Sequence, residues 1–353
     1  MLKILNFNSH EDLGFYKAII AHKDFHSAYN RLEYFDVFCG GRENLICFLY
    51  QDGDEIILLP GYLKQIKIYE ILKEKFDFST PYGYTGPFCS ENTNENTIIN
   101  FWQVTTKWFL DNNVVSEFIR FNLFNNALGY NGVIHDTMLN IKGRILDEDE
   151  QWRNFDAKVR KNVKRAQREE LKSRIYYQDI EQAYINEFYT IYIDTMKRTN
   201  AKAFFFYTLE SFNHFILNNL DLCAICTIYD NYKPISTELL LISNNSVFSF
   251  LGGTLGDAFE KRPNDYLKFE VINWVRSQGF ENYVLGGGYG YEDGIFKYKK
   301  AFFPNDVVKY VTGRKIVDQE KYLHLVDEVN AEKSEEEYLD INDNSFFPLY
   351  NKQ

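Results

Sequence analysis

The feature that most constrains this chain is an order of elements that occurs twice. In each half, apolar periodicity reads as helices, then antiparallel hairpins, then a closing βα-like unit. No short repeat is visible, so the recurrence is one of design and points to two α/β domains of related build. The length of 353 residues agrees, because it exceeds what a single hydrophobic core usually holds. The expected organisation is an N-terminal domain over 1–148, a C-terminal domain over 149–325 and an acidic tail over 326–353 that ends either mobile or docked. Each domain is expected to be a mixed, mostly antiparallel sheet flanked by helices.

Within the first half, residues 11–30 read as a helix. Strands Asn44–Tyr50 and Glu55–Leu59 flank a Gln51-Asp52-Gly53-Asp54 turn, and the glycine suits that turn. Residues 80–88, TPYGYTGPF, hold two prolines and two glycines and mark an ordered loop. Glu95–Asn112 reads as a helix, with Phe101, Val104, Trp108 and Phe109 at helical spacing. Strands near Val114–Phe121 and Val133–Leu139 follow. In the second half one long helix is expected over Gln151–Leu171, with Trp152, Phe155, Val159, Val163 and Ala166 as its apolar stripe. Further helices are read at Gln182–Lys197, Thr208–Asn218 and Asp265–Gln278. Strands are read at Cys223–Tyr229, Ile235–Ile242, Val247–Leu251, Asn282–Leu285 and Val307–Val311.

Several function classes recede on composition. No run of about 18 apolar residues occurs, so no membrane span is expected, and the N-terminus lacks the long apolar core of a signal peptide. A cytoplasmic location is expected. The net charge of −11 disfavours non-specific binding of nucleic acid, DNA included, by the whole surface. The one CxxC, Cys223 and Cys226, sits in a strand-like run without a second pair and reads as buried thiols. The histidines do not cluster, and no metal is expected. GK[ST], GxGxxG, GxSxG and HExxH are all absent.

Four constellations carry possible chemistry. Lys158, Lys161, Arg165, Arg168 and Lys172 share one helical face, with Arg160 and Lys164 beside it. Residues 153–174 hold nine Lys/Arg against three Asp/Glu. Such a face suits phosphate groups, or it is simply solvated. Gly252 and Gly253 close a strand, and Asn264 or Asp265 then caps a helix whose N-terminus could receive an anion, or is an ordinary cap. Glu238 lies within an apolar strand, as a base of raised pKa or as a surface acid. Last comes Gly286–Pro304, GGGYGYEDGIFKYKKAFFP, where glycines stand beside Glu292, Asp293, Lys297, Lys299 and Lys300. Acids there would move protons, and a lysine would steady a developing oxyanion.

The runs RKNVKRAQ (160–167), FYTIYIDTMKRT (188–199), STELLL (236–241), LGGT (251–254), RPNDYLKFEVINW (262–274) and GGGYGYEDGIFKYKKAFFP, with PYGYTGPF (81–88) in the first half, resemble the FemAB-like branch of the GNAT acyltransferases. The resemblance implies two tandem GNAT-like domains and attack of an amine on an activated acyl group. It implies no bound cofactor but a co-substrate, acyl-CoA or aminoacyl-tRNA. The acceptor would be a small-molecule, lipid-linked or nucleotide-linked envelope precursor. The family's aromatic-lysine pair appears as Tyr298-Lys299, with Phe302 three residues on, so Lys299 would stabilise the intermediate or the leaving atom. Glu238 or Asp293 would take the amine proton. Arg160, Lys164 and Arg165 would hold phosphates, while Tyr82, Tyr84, Arg198, Gly252, Gly253, Asn264, Lys268 and Tyr298 would line the donor and acceptor sites. Two departures stand out. The long coiled-coil arm of the glycine-adding members is missing after Lys172, and no clean acetyl-CoA loop of single-domain members occurs. A non-catalytic binder on the same fold is the alternative.

Overall fold

Strand β1 (Leu2–Asn6) leads into helix α1 (His10–Ile20), where the Ser9 side chain accepts from Asp12 N at 3.3 Å and satisfies one of the orphan N–H groups of the first turn. Short 3-10 turns separate α1 from α2 (Leu32–Phe38), so the helix expected over 11–30 is broken. β2 (Leu45–Asp52) and β3 (Glu55–Gln65) form the expected hairpin, and β3 continues through Pro60. β4 (Phe76–Ser79) and the short β5 (Phe88–Cys89) precede α3 (Glu95–Asp111), which Asn94 caps. β6 (Val114–Arg120) and β7 (Val133–Arg144) follow. The computed structural model describes residues 1–67 and 74–352, so part of the stretch between β3 and β4 lies outside it.

The long helix expected over 151–171 is two helices, α4 (Glu148–Asn154) and α5 (Ala157–Arg168). The break falls at Phe155-Asp156, where Phe155 turns extended and the Asp156 carboxylate accepts from Lys158 N at 2.8 Å, starting a new helix. β8 (Lys172–Tyr177) therefore takes Lys172 off the helical face. α6 (Gln182–Arg198), α7 (Leu209–Leu217), β9 (Cys223–Asp230), β10 (Lys233–Ser243) and β11 (Ser246–Thr254) agree with the periodic reading. α8 (Pro263–Ser277), β12 (Asn282–Gly286), α9 (Gly294–Lys300), β13 (Val307–Ile316) and α10 (Gln319–Ala331) complete the chain.

These elements form two units. The first holds residues 1–25, 38–137 and 310–353; the second holds 26–37 and 138–309. The division differs from a single cut near residue 148 for reasons of strand pairing. The later part of β7 hydrogen-bonds β12, from Ile141↔Gly286 to Arg144↔Asn282, and so joins the second unit. β13 returns to pair β6, from Thr312↔Arg120 to Ile316↔Ser116, and so joins the first. Residues 26–37 join the second unit through Ser27, which bridges Ser243.

In the first unit the strand order is β1-β2-β3-β4-β6-β13, with β5 on β3. In the second it is β7-β12-β11-β10-β9-β8. Among the described pairings within each unit, all are antiparallel except one, β4 with β6 in the first and β11 with β12 in the second. In each unit a mixed, mostly antiparallel set of strands flanked by helices is the architecture the sequence leads one to expect. The first unit's core gathers Phe48, Phe78, Phe101, Trp102, Phe109 and Phe121 between its sheet and α3. Burial of each such ring contributes roughly 1.5–3 kcal/mol. A second cluster docks the tail: Leu349 and Tyr350 pack on Tyr322, Leu325 and Val326 of α10, and Leu349 N donates to Tyr322 Oη at 2.9 Å. The tail is thus a docked strap.

Candidate active site

The parallel pair of the second unit is short. β11 meets β12 only over Ser246↔Asn282, Val247↔Tyr283 and Phe248↔Val284. Beyond Phe248, β11 keeps its other partner, β10, as far as Ser236↔Thr254, while β12 ends at Gly286 in the left-handed region (φ 71°). The two strands part there, and the glycine-rich segment enters. Gly287 is needed for close approach, because a Cβ on it would stand 2.5 Å from Asn140 Oδ1. The loop is gathered by Asp293, whose carboxylate accepts from Phe296 N (2.8 Å), Tyr289 N (2.7 Å) and Gly290 N (3.0 Å). That makes Asp293 the N-cap of α9, and the same hydrogen bonds, Phe296 N foremost, hold its carboxyl below the usual range. The sequence offers Asp293 as a possible base; its lone pairs are instead spent on the backbone.

Beneath the parting strands lies a buried charge cluster. Glu238 on β10 accepts from Lys268 Nζ of α8 at 2.5 Å, from Tyr283 Oη of β12 at 2.7 Å and from Ser249 Oγ of β11. Lys268 Nζ also meets Ser249 Oγ at 2.9 Å and Tyr283 Oη at 3.2 Å. Glu238 and Lys268 are each only 5% exposed, so every hydrogen bond here is made in a low-dielectric interior. Burial, then the Glu238 charge, pushes the Tyr283 hydroxyl well above its ordinary range. Glu238 is therefore not the exposed strand acid that alternation left open. Lys268, which the resemblance assigns to substrate binding, is its buried counter-ion.

Two groups beside this cluster have capacity left over. Lys299 Nζ of α9 donates to Gly287 O at 2.6 Å. Burial, then the Lys268 cation, lowers its amine to about 8, against the opposing pull of Glu238 and Asp293. Next to it in sequence, the Tyr298 hydroxyl is buried and has no hydrogen-bond partner among the described residues. Burial raises it well above the ordinary tyrosine range, and the Asp265 and Glu238 charges add to the shift. The Tyr298 ring is fixed edge-on against Phe302 at 5.4 Å, and Phe302 is itself fully buried. Of the neighbouring lysines, Lys297 is exposed and Lys300 half-buried. A desolvated lysine and an unsatisfied phenol at the mouth of parting strands can bind and protonate an atom that gains negative charge.

Other expected site residues have structural duties. Arg160 donates to Arg153 O at 3.0 Å and to Phe155 O, locking the α4–α5 corner. Arg165 pairs with Glu260 at 3.2 Å, and Lys164 lies 5.8 Å over the Trp152 ring. Lys158, Lys161, Lys164 and Arg168 are exposed on α5. Arg198 donates to Thr254 O at 3.0 Å and stacks on Phe259. Gly253 admits α6: a Cβ there would strike the Thr195 side chain and stand 2.9 Å from Ile191 O. Gly252 lies against Thr237 O of β10 in the same way, at 2.5 Å. Thr254 N donates to Thr195 Oγ1 at 3.1 Å, and both glycines serve close packing of β11. Asn264 is exposed and caps nothing; α8 starts at Pro263 after a left-handed Arg262, as suits a proline's fixed φ at the first helical position. Asp265 instead accepts from Asn162 Nδ2 at 3.0 Å. Tyr82, exposed, and Tyr84, edge-on to Tyr310 at 5.7 Å, belong to the first unit. Cys223 and Cys226 are buried free thiols raised by burial. Ser249 and Tyr283 escaped the sequence reading; their signal was a hydroxyl in each of two apolar strands.

Residues 154–300 match the acetyltransferase (GNAT) domain family. Among solved structures, the chain is similar to FemX (TM-score 0.59, 10% identity, 79% of this chain and 90% of that one). It is also similar to the C-terminal domain of a putative lysylphosphatidylglycerol synthetase from Agrobacterium fabrum (TM-score 0.58, 12% identity, 87% and 92% covered). L-PGS from Bacillus licheniformis is a third such structure (TM-score 0.57, 13% identity, 89% and 95% covered). No curated protein sequence matches. The resemblance to the FemAB-like branch of the GNAT fold is borne out at the level of the fold, and the acetyltransferase (GNAT) domain match falls within the second unit.

Proposed function

From the premise of a GNAT acyltransferase domain on a FemAB-like fold, we propose that this protein transfers an acyl or aminoacyl group from an activated donor to an amine of a cell-envelope precursor. The observation that carries the reading is Lys299, an amine lowered to about 8 and set beside a buried phenol without a partner. The acceptor's nitrogen attacks the donor's acyl carbon, and a C–N bond forms as the carbonyl becomes an oxyanion. Collapse breaks the bond to the leaving sulfur of an acyl-CoA or the leaving oxygen of an aminoacyl-tRNA. Lys299, still mostly protonated at neutral pH, meets that charge or gives its proton to the leaving atom. Tyr298 Oη supplies a second donor. The Glu238–Lys268–Ser249–Tyr283 cluster fixes the floor and sets the field around Lys299. The proton lost by the amine passes to water, since all the contacts of Glu238 described above come from donors already seated.

The exposed cations of α5 face solvent and suit the phosphates of either donor. The reaction belongs on the cytoplasmic side of the envelope in this reading; no described helix is long and apolar enough to cross a membrane. Incubation with acetyl-CoA, or with charged tRNA, and an amine acceptor, followed by mass analysis, tests the proposal. Product in one arm identifies the donor. Thermal stabilisation by either donor with no product in any arm favours a binder that has kept the fold.

A further inference from the structure

The first unit has a cavity of about 670 Å³ that the reaction above does not use. That volume falls within the range of roughly 300–1,000 Å³ typical of small-molecule sites. Its lining is divided. Lys64, Lys67, Arg120 and Arg314 contribute four cations against one carboxylate, Asp77. Phe118, Phe346, Phe347 and Pro348 contribute an apolar wall.

The lone carboxylate does little to neutralise those cations. Asp77 accepts from Ser116 Oγ at 2.6 Å, from Tyr350 Oη at 2.5 Å and from Asn351 Nδ2 at 3.4 Å. Its lone pairs face the strap, and burial raises its carboxyl above the usual range. The two arginines are held in place. Arg120 donates to Thr80 O at 2.5 Å and lies 4.8 Å over the Phe118 ring. Arg314 donates to Asn344 O at 2.5 Å, while its Nε is buried with no partner among the described residues. Lys64, Lys67 and Arg314 form no ion pair among the described residues. A buried Nε–H left unmet is costly unless an acceptor meets it. The surplus is notable in a chain of net charge −11.

We propose that this cavity binds a phosphoryl group carried on an apolar or aromatic body, with Arg314 and Lys64 as its principal partners and the Phe118–Phe347 wall against the body. The charge count calls for a dianion, planar guanidinium donors suit phosphate oxygens, and stacked rings suit an apolar substituent. The Phe118 and Phe347 rings are already stacked, with centroids 6.5 Å apart. The strap that closes the cavity is docked through Leu349 and Tyr350, so the site is formed before a ligand arrives.

The test uses the full chain and two probes. One arm titrates phenyl phosphate by calorimetry; the other measures flotation with phosphatidylcholine vesicles that contain phosphatidic acid, against phosphatidylcholine alone. Binding in the first arm identifies a soluble phosphate ester, and binding in the second a lipid phosphate. In either case Lys64→Gln, an exposed head group that leaves the fold intact, weakens affinity about tenfold, and Arg314→Gln weakens it further. Lys299→Met, in the other unit, leaves this binding unchanged. Absence of binding in both arms, or equal affinity in the wild type and Lys64→Gln, overturns the proposal.

Discussion

Among the described residues each unit buries one glutamate–lysine pair, and the surroundings of the two pairs differ in a way that separates scaffold from site. In the first unit, Lys315 Nζ of β13 lies 2.9 Å from Glu117 Oε2 of β6. It also donates to Thr106 Oγ1 at 2.9 Å and to Asn131 Oδ1, and sits above the Trp102 and Tyr130 rings. Its donors are consumed within the core. In the second unit, the Glu238–Lys268 pair is likewise enclosed by Ser249 and Tyr283, but a further lysine, Lys299, is held beside it with its amine lowered to about 8. A buried pair alone is therefore architecture. Chemistry begins where a second cation is held near the first at the cost of its own protonation.

The largest expected effect tests the shared part of that comparison. Lys268→Met and Lys315→Met each leave a carboxylate buried without a counter-charge, and each is expected to lower unfolding free energy by about 3–5 kcal/mol in chemical denaturation. The paired replacement Glu238→Gln with Lys268→Met is expected to recover most of that loss. No recovery would mean the pair is held by more than mutual neutralisation.

Next comes the part that differs. Lys299→Met is expected to reduce turnover by about 10²–10³-fold, the size of losing one preorganised donor to a developing anion, with no fall in stability. Unchanged turnover would remove Lys299 from the mechanism and leave the two units alike.

The pH dependence sharpens this further. Because the charged form of Lys299 is the active one, the rate should decline as pH rises through about 8. Stability should move the opposite way. The folded amine binds fewer protons than the unfolded one between about 8 and the ordinary lysine value of 10.5, so the Lys299 contribution to stability rises with pH across that window. A falling rate with rising stability is a signature that general alkaline unfolding does not produce. Both limbs should vanish in Lys299→Met.

The smallest effect contrasts two tyrosines of the second unit. Tyr283→Phe removes a donor to the Glu238 carboxylate and is expected to cost roughly 1.5–3 kcal/mol. Tyr298→Phe removes a buried hydroxyl that has no partner, so it should leave stability unchanged or slightly raised. A stability loss on Tyr298→Phe equal to that of Tyr283→Phe would show that the hydroxyl is structurally engaged.

Much of the fold was legible because it rests on local periodicity. The β2–β3 hairpin, α3, α6, α7 and the strands β9 to β11 follow from apolar spacing and turn residues. What the spacing missed was decided by single local signals or by distant partners. Asp293 was readable as an acid but not as a cap, and its capping starts α9, a helix to which the sequence reading gave no element. Pro263, not Asn264, opens α8, because a proline's missing N–H is no loss at the first helical position. Phe155-Asp156 split a helix whose stripe looked continuous. The site itself was half legible. Lys299 and Tyr298 stood out through the resemblance, and Glu238 as an acid in an apolar run. The counter-ion Lys268 lies 30 residues further along on another element, and no pattern along one strand could reveal it. The glycines at 252 and 253 have a packing duty that their sequence does not distinguish from a binding one, since helix packing and ligand approach both call for a missing Cβ.

The return of β13 to pair with β6 has a consequence for synthesis. Glu117 is made early, whereas its counter-ion Lys315 is translated almost two hundred residues later, after all of 138–309 has emerged. Until then β6 is paired on its β4 side alone, and the buried acid Glu117 lacks its neutralising cation. A nascent chain leaving the ribosome can complete the second unit while the first waits. The earlier-encoded half is thus the later to mature, and holding its unpaired β6 edge soluble falls to the cell's chaperones.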